Sequence, residues 1–238
     1  MIVKKSFNCS SRSILFFTLL LLFGLAFISG CSKDSNNSPE IEGTVDPEDP
    51  EDPEDTEDPE DPVTESTDPV GPSILRINSG GEELTFDSVV FEEDKYFTGD
   101  VVSFVNHVVT EIENTEMDEL YLSSISHTDN VVTFGYAIPV TNGTYSVKFY
   151  FAEIVWGAVN DPDFPGEENR RIFSVDVEGG NKIKNFDIYK EVGSITAITK
   201  MYDVEVSDGE LTISFNASAD RAFVSALEIF GDGEIVID

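Results

Sequence analysis

The sequence predicts an all-β fold, an antiparallel β-sandwich of jelly-roll-like type, and three observations carry that prediction. Apolar side chains recur at every second position in run after run. Gly, Asn and Asp clusters punctuate those runs. No long segment shows the 3.6-residue period of a helix. In chain order, residues 131–140 form an apolar strand that closes at Asn142-Gly143. Residues 145–151 follow, with the odd positions Tyr145, Val147, Phe149 and Phe151 facing a core. Phe173, Val175 and Val177 alternate with Ser174, Asp176 and Glu178, ending at Gly179-Gly180-Asn181. Tyr202, Val204 and Val206 alternate with Asp203 and Glu205, and Leu211, Ile213 and Phe215 alternate with Thr212 and Ser214. Asp208-Gly209 between the last two runs predicts a hairpin. Residues 223–230 add a closing strand.

Composition divides the chain before any strand is drawn. Lys4, Lys5 and Arg12 precede an apolar run over residues 14–28, followed by Ile28-Ser29-Gly30-Cys31. A basic start, a short apolar stretch and small residues mark a secretory signal over residues 1–30. The run is short for a bilayer span of ~20 residues. The small pair before Cys31 resembles the lipobox of bacterial lipoproteins, which implies cleavage before Cys31 and acylation of its thiol and new amino group. Ser32 after that cysteine points to the outer membrane. Cys9 leaves with the signal, so the mature chain is expected to lack a disulfide or a cysteine-based metal site.

From residue 32 to residue 72 there are 16 acidic residues against the single Lys33, and eight of the 11 prolines. This stretch lacks the apolar residues that offset ordering entropy, and its prolines and like charges favour extension. It is expected to be a disordered stalk (residues 31–72 with the lipidated cysteine) reaching on the order of 100 Å. The folded domain is expected to be residues 73–238. There, 31 acidic and 10 basic residues give a net charge of −21, which argues against nucleic acid and against anionic polysaccharide as partners.

Motifs for catalysis are absent: no His-Glu-x-x-His, no Gly-x-Ser-x-Gly and no phosphate loop. The two histidines, His107 and His127, are expected to be polar surface residues. Neither a cofactor nor a metal is expected. The acidic loop 160–168 offers oxygen ligands for Ca²⁺, but its prolines and spacing do not match a calcium loop, so it is expected to be solvated. Glu153 breaks the apolar alternation and is expected to be a buried carboxylate bonded to backbone. Asn142-Gly143-Thr144 and Asn216-Ala217-Ser218 match glycosylation sequons, but in a lipoprotein chain they read as a turn and a strand end.

An ordered set of short motifs carries a family resemblance. It runs from Ile77-Asn78-Ser79-Gly80-Gly81 through Leu120-Tyr121 and Phe134-Gly135-Tyr136 to Phe151-Ala152-Glu153. It continues through Arg171-Ile172-Phe173 and Asn185-Phe186-Asp187 to Asp208-Gly209-Glu210-Leu211 and Ala226-Leu227-Glu228-Ile229. Together these resemble the malectin domain over nearly all of residues 74–231. The resemblance implies a galactose-binding-like sandwich without a catalytic centre. It also implies binding of glucose-containing oligosaccharides by aromatic side chains and an aspartate, on loops at one end.

By position the resemblance implicates Phe104, Tyr121, Trp156 and Asp220. Residues alone read Phe104 and Tyr121 as core, and Trp156, at a loop entrance, as either a sugar platform or a core lid. They read Asp220 as a ligand contact, a solvated turn or a partner of Arg221. Two departures stand out: a further family aromatic is missing near Ser126, and Ile125 replaces an arginine. The combined expectation is a membrane-anchored carbohydrate-binding lipoprotein, not an enzyme. The alternatives are an adhesion module with a protein partner and a glycoside hydrolase, the last requiring two carboxylates across a cleft.

Overall fold

The computed structural model describes residues 63–237. The signal, Cys31 and most of the acidic stretch lie outside the described residues. Within them the architecture is an antiparallel β-sandwich. One sheet has the order β1 (Ser73–Asn78), β14 (Ala226–Gly231), β8 (Gly143–Phe151), β11 (Ile198–Val206). The facing sheet runs β10 (Gly180–Phe186), β9 (Ile172–Val177), β12 (Glu210–Ala219), β7 (Thr133–Pro139), β4 (Phe97–Thr98). A small sheet of β13 (Phe223–Val224), β6 (Ser123–His127) and β5 (Val101–Val105) flanks one end. β2 (Leu84–Phe86) and β3 (Val89–Phe91) form a hairpin, and the helices are single turns, α1 (Asp118–Tyr121) and α2 (Ile188–Val192).

Period-two alternation builds the core as expected. Phe149 of β8 meets Phe215 of β12 edge-on at 6.0 Å, and Phe151 meets Phe186 of β10 at 5.1 Å. These rings come from opposite sheets and fill the space between them. β8 departs from simple alternation. Its outer-face Tyr150 is also buried, covered by Phe91 at 5.6 Å and Tyr121 at 6.1 Å. Where the strand is covered on both faces, at Phe149-Tyr150-Phe151, it reads as continuously apolar rather than alternating.

The Asp208-Gly209 hairpin is not formed. β11 pairs with β8, whereas β12 pairs with β7 and β9. The turn therefore carries the chain from one sheet to the other, as does Asn142-Gly143 between β7 and β8. Both flanking runs must present an apolar face to the same core, and opposite sheets satisfy that requirement. Gly179-Gly180 does make a hairpin, joining β9 to β10. Alternation of consecutive strands between sheets is what makes the topology jelly-roll-like.

Bonding also extends to residues ahead of 73. Ser66 donates its amide to the Met201 carbonyl at 2.7 Å, and Val70 donates to Ser146 Oγ at 2.9 Å. Residues 66–72 are thus bonded onto β11 and β8, despite their linker-like composition. His127 is buried as well, because all five residues of β6 are covered, and its Nδ1 accepts the Asp129 amide.

Candidate functional site

The site lies where β8 and β12 leave the sandwich and β9 enters it. Two residues beyond β8, Glu153 is 1% exposed. Its Oε1 accepts the amides of Val155 at 2.9 Å and Trp156 at 3.0 Å, which fixes the turn that presents the tryptophan. Its Oε2 accepts Arg171 Nε at 2.9 Å. Arg171, immediately before β9, is 4% exposed and lies 4.0 Å over the Phe223 ring. Its Nη1 reaches Asp220 Oδ2 at 3.1 Å and also donates to the Arg221 carbonyl. Trp156 Nε1 donates to the same Asp220 Oδ2 at 2.9 Å. A single chain of charge-assisted bonds, Glu153–Arg171–Asp220–Trp156, therefore ties three loop segments together.

Local backbone explains where Asp220 points. The β9–β12 register shifts between Ala217 and Ala219, and Asp220 has φ 55°. A bulge re-aims a strand end, and Asp tolerates the left-handed region better than most residues. The Val131 amide donates to the Asp220 carbonyl at 2.7 Å and holds that conformation.

These elements enclose a cavity of about 370 Å³. Trp156, Phe164 and Phe104 supply its rings, Asp220 and Arg221 its polar rim, and Ser124 and Ser126 line it as well. The volume lies in the ~300–1,000 Å³ range of small-molecule sites. Asp220 is the one carboxylate among the lining residues.

Three of the four residues singled out from the sequence meet here. Trp156 is half-buried, with Phe164 at 5.4 Å and Arg170 at 5.3 Å from its ring, so it is neither a bare platform nor a core lid. Phe104, read as core from its apolar run, is 41% exposed on the edge strand β5 and lines the cavity. The partner of Asp220 is Arg171, not Arg221, which turns instead to Asn130 Oδ1 at 3.0 Å. Tyr121 is the exception: it does not line the cavity and is 2% exposed in the core against Tyr150. The turn of α1, not a strand, carries it inward, and burial pushes its phenol up to about 12.

Sequence reasoning missed Phe164, Asn130 and the pairing role of Arg171. Phe164 stands in a polar loop expected to be solvated, yet the Gly157 amide donates to the Phe164 carbonyl at 2.9 Å and folds the loop back onto Trp156. Gly157 has φ 75°, a conformation that suits glycine. Among the described residues no group of three or more His, Cys, Asp or Glu is placed to hold a metal.

The malectin-domain family model matches residues 73–233. The chain belongs to the malectin domain family. A probable leucine-rich-repeat receptor-like serine/threonine-protein kinase of Arabidopsis thaliana is 30% identical over 161 residues, covering 58% of this chain and 17% of the relative. Malectin-B of Xenopus laevis is 26% identical over 106 residues, covering 44% of this chain and 34% of the relative. This malectin-domain chain thus spans between about a sixth and a third of those relatives' lengths. Among solved structures, the extracellular domain of ANXUR1 from Arabidopsis thaliana superposes with a TM-score of 0.55 at 18% identity. That likeness covers 66% of this chain and 48% of the other, and shows a shared fold.

Proposed function

We propose that the cavity binds a carbohydrate unit and that the chain is a glycan-binding lipoprotein, tethered through Cys31 to a bacterial outer membrane. The observation that carries this reading is three aromatic rings, Trp156, Phe164 and Phe104, converging with one oriented carboxylate. A pyranose presents an apolar C–H face that packs on such rings and hydroxyls that donate to a carboxylate. Arg171 and Trp156 both occupy Asp220 Oδ2, and Oδ1 has no protein donor among the described residues. The aspartate is therefore pre-oriented with one oxygen available to a sugar hydroxyl. Glycoside hydrolysis fits poorly, since it needs two carboxylates across the scissile bond and the cavity is lined by one.

A second reading rests on the edge strand β5. Val102, Phe104 and Val105 are 38%, 41% and 40% exposed, and one side of the strand has no partner strand. An exposed apolar edge accepts an extended peptide by strand addition, which supports an adhesion role with a protein partner.

Calorimetric titration of gluco-oligosaccharides into the full chain separates the two readings. Affinity is expected on the order of 10 µM to 1 mM. Trp156→Ala is expected to weaken binding by about 1–3 kcal/mol. Asp220→Ala is expected to weaken it through loss of a charged acceptor. Undiminished affinity in a folded Trp156→Ala variant would exclude the aromatic site. No binding by the wild type at millimolar glycan would favour the peptide reading. For the anchor, Cys31→Ala is expected to abolish incorporation of an alkyne palmitate analogue, and equal labelling would refute it.

A further inference from the structure

The distribution of arginine in the folded domain is uneven. Four arginines fall within residues 73–238: Arg76, Arg170, Arg171 and Arg221. Two of them, Arg171 and Arg221, line the cavity, and Arg170 lies over its Trp156 ring. Arg171 is compensated twice, by Glu153 and Asp220. Arg170 is paired with Glu167. Arg221 is different. Its Nε donates to the neutral amide oxygen of Asn130 at 3.0 Å, and among the described residues no carboxylate lies within ion-pair distance of it.

In a domain with 31 acidic and 10 basic residues, an arginine without an ion pair is against the odds of composition, the more so with Asp220 next to it in the chain and committed to Arg171. This one faces the cavity. Asn130 engages the Nε edge and orients the plane of the guanidinium. The two terminal nitrogens form a planar fork whose spacing matches both oxygens of a carboxylate.

We infer that the unit bound in this cavity carries a carboxylate, as a uronic acid does at C6, and that Arg221 holds it. This rests on the carbohydrate reading above and narrows it to acidic sugars. One unit places its ring against the Trp156–Phe164–Phe104 aromatics, a hydroxyl on Asp220 and its carboxylate on Arg221. The domain's net charge of −21 does not forbid this. Repulsion from distant surface charge is screened beyond ~8 Å at physiological ionic strength, whereas a direct guanidinium–carboxylate contact is not. Overall charge slows the approach of an acidic glycan, and the local contact decides which sugar is retained.

The test uses paired probes that differ only at C6. Glucose, galactose and mannose trisaccharides are titrated against glucuronate, galacturonate and mannuronate trisaccharides, with the full chain in mild detergent. In at least one pair the acidic member is expected to bind on the order of tenfold tighter, the scale of one charge-assisted bond. Arg221→Gln is expected to collapse that ratio. Arg221→Lys keeps the charge but loses the fork, and is expected to give an intermediate ratio. Thermal melts of both variants control for folding. Neutral members binding as well as acidic ones, in every pair, overturns the carboxylate assignment and leaves the carbohydrate reading standing. A wild-type preference that persists in folded Arg221→Gln overturns the role of Arg221. Failure of all six probes to bind overturns the carbohydrate reading with it.

Discussion

The cavity has two unlike walls. One is the bonded chain Glu153–Arg171–Asp220–Trp156, in which every charged group has a partner. The other is the edge strand β5, which lines the cavity with Val102, Ser103 and Phe104 and carries no charge and substantial exposure. The first wall is rigid because each member fixes the next. The second is held by its ladder to β6, with Val102, Phe104 and Val105 exposed. A change in the first wall should be felt as stability and binding together, and a change in the second as binding alone.

The largest expected effect follows from cutting the first wall at its root. Glu153→Ala leaves the buried Arg171 guanidinium with Asp220 as its one carboxylate and frees two amides, so unfolding free energy should fall by about 1–3 kcal/mol. Chemical denaturation measures it. A loss below about 1 kcal/mol would mean that water replaces the carboxylate and that the wall is not rigid. Phe104→Ser tests the opposite wall. Being 41% exposed, it should change stability within about 0.5 kcal/mol while weakening glycan binding measurably. A large drop in stability would return Phe104 to the core, where its sequence context first put it.

A third measurement tests the exclusion of Tyr121 from either wall. Burial raises its phenol to about 12, as it raises those of Tyr136, Tyr150 and Tyr202, so the ionisation that Tyr121→Phe removes from the absorbance titration at 295 nm should lie well above the ordinary value near 10. Because the folded value is the higher one, this group's stabilising contribution is complete below about pH 10 and is lost as pH rises through about 12. Titration near 10 would place Tyr121 in solvent. The smallest effect is local. The amides of Ser66 and Val70 should be protected from hydrogen exchange. Unprotected exchange at both would detach residues 66–72 from the sheet.

Much of the fold was legible because core strands must alternate. Phe173, Val175 and Val177 are buried as their pattern requires, and so are Leu211, Ile213 and Phe215. The hairpin at Asp208-Gly209 was not legible. Turn chemistry specifies a reversal of direction, but not whether the next strand pairs with the last or crosses to the other sheet. At the site, Trp156 and Asp220 came from positional resemblance to malectin, and the burial of Glu153 came from its place in an apolar run. Phe164 gave no local signal, since its neighbours are polar and its packing depends on a loop closure nine residues long.

By itself, the sequence determined the fold class and the family. Each of these is written in period, composition or motif order, which are local properties. Only the tertiary structure decided which strands pair, that Tyr121 faces inward while Phe104 faces out, and that Arg171 rather than Arg221 neutralises Asp220. Those outcomes depend on contacts such as the 64 residues separating Trp156 from Asp220. Arg171 and Arg221 are the same residue type, and both are near Asp220. What distinguishes them is burial beside Glu153, which forces full pairing on one and leaves the other open to the cavity.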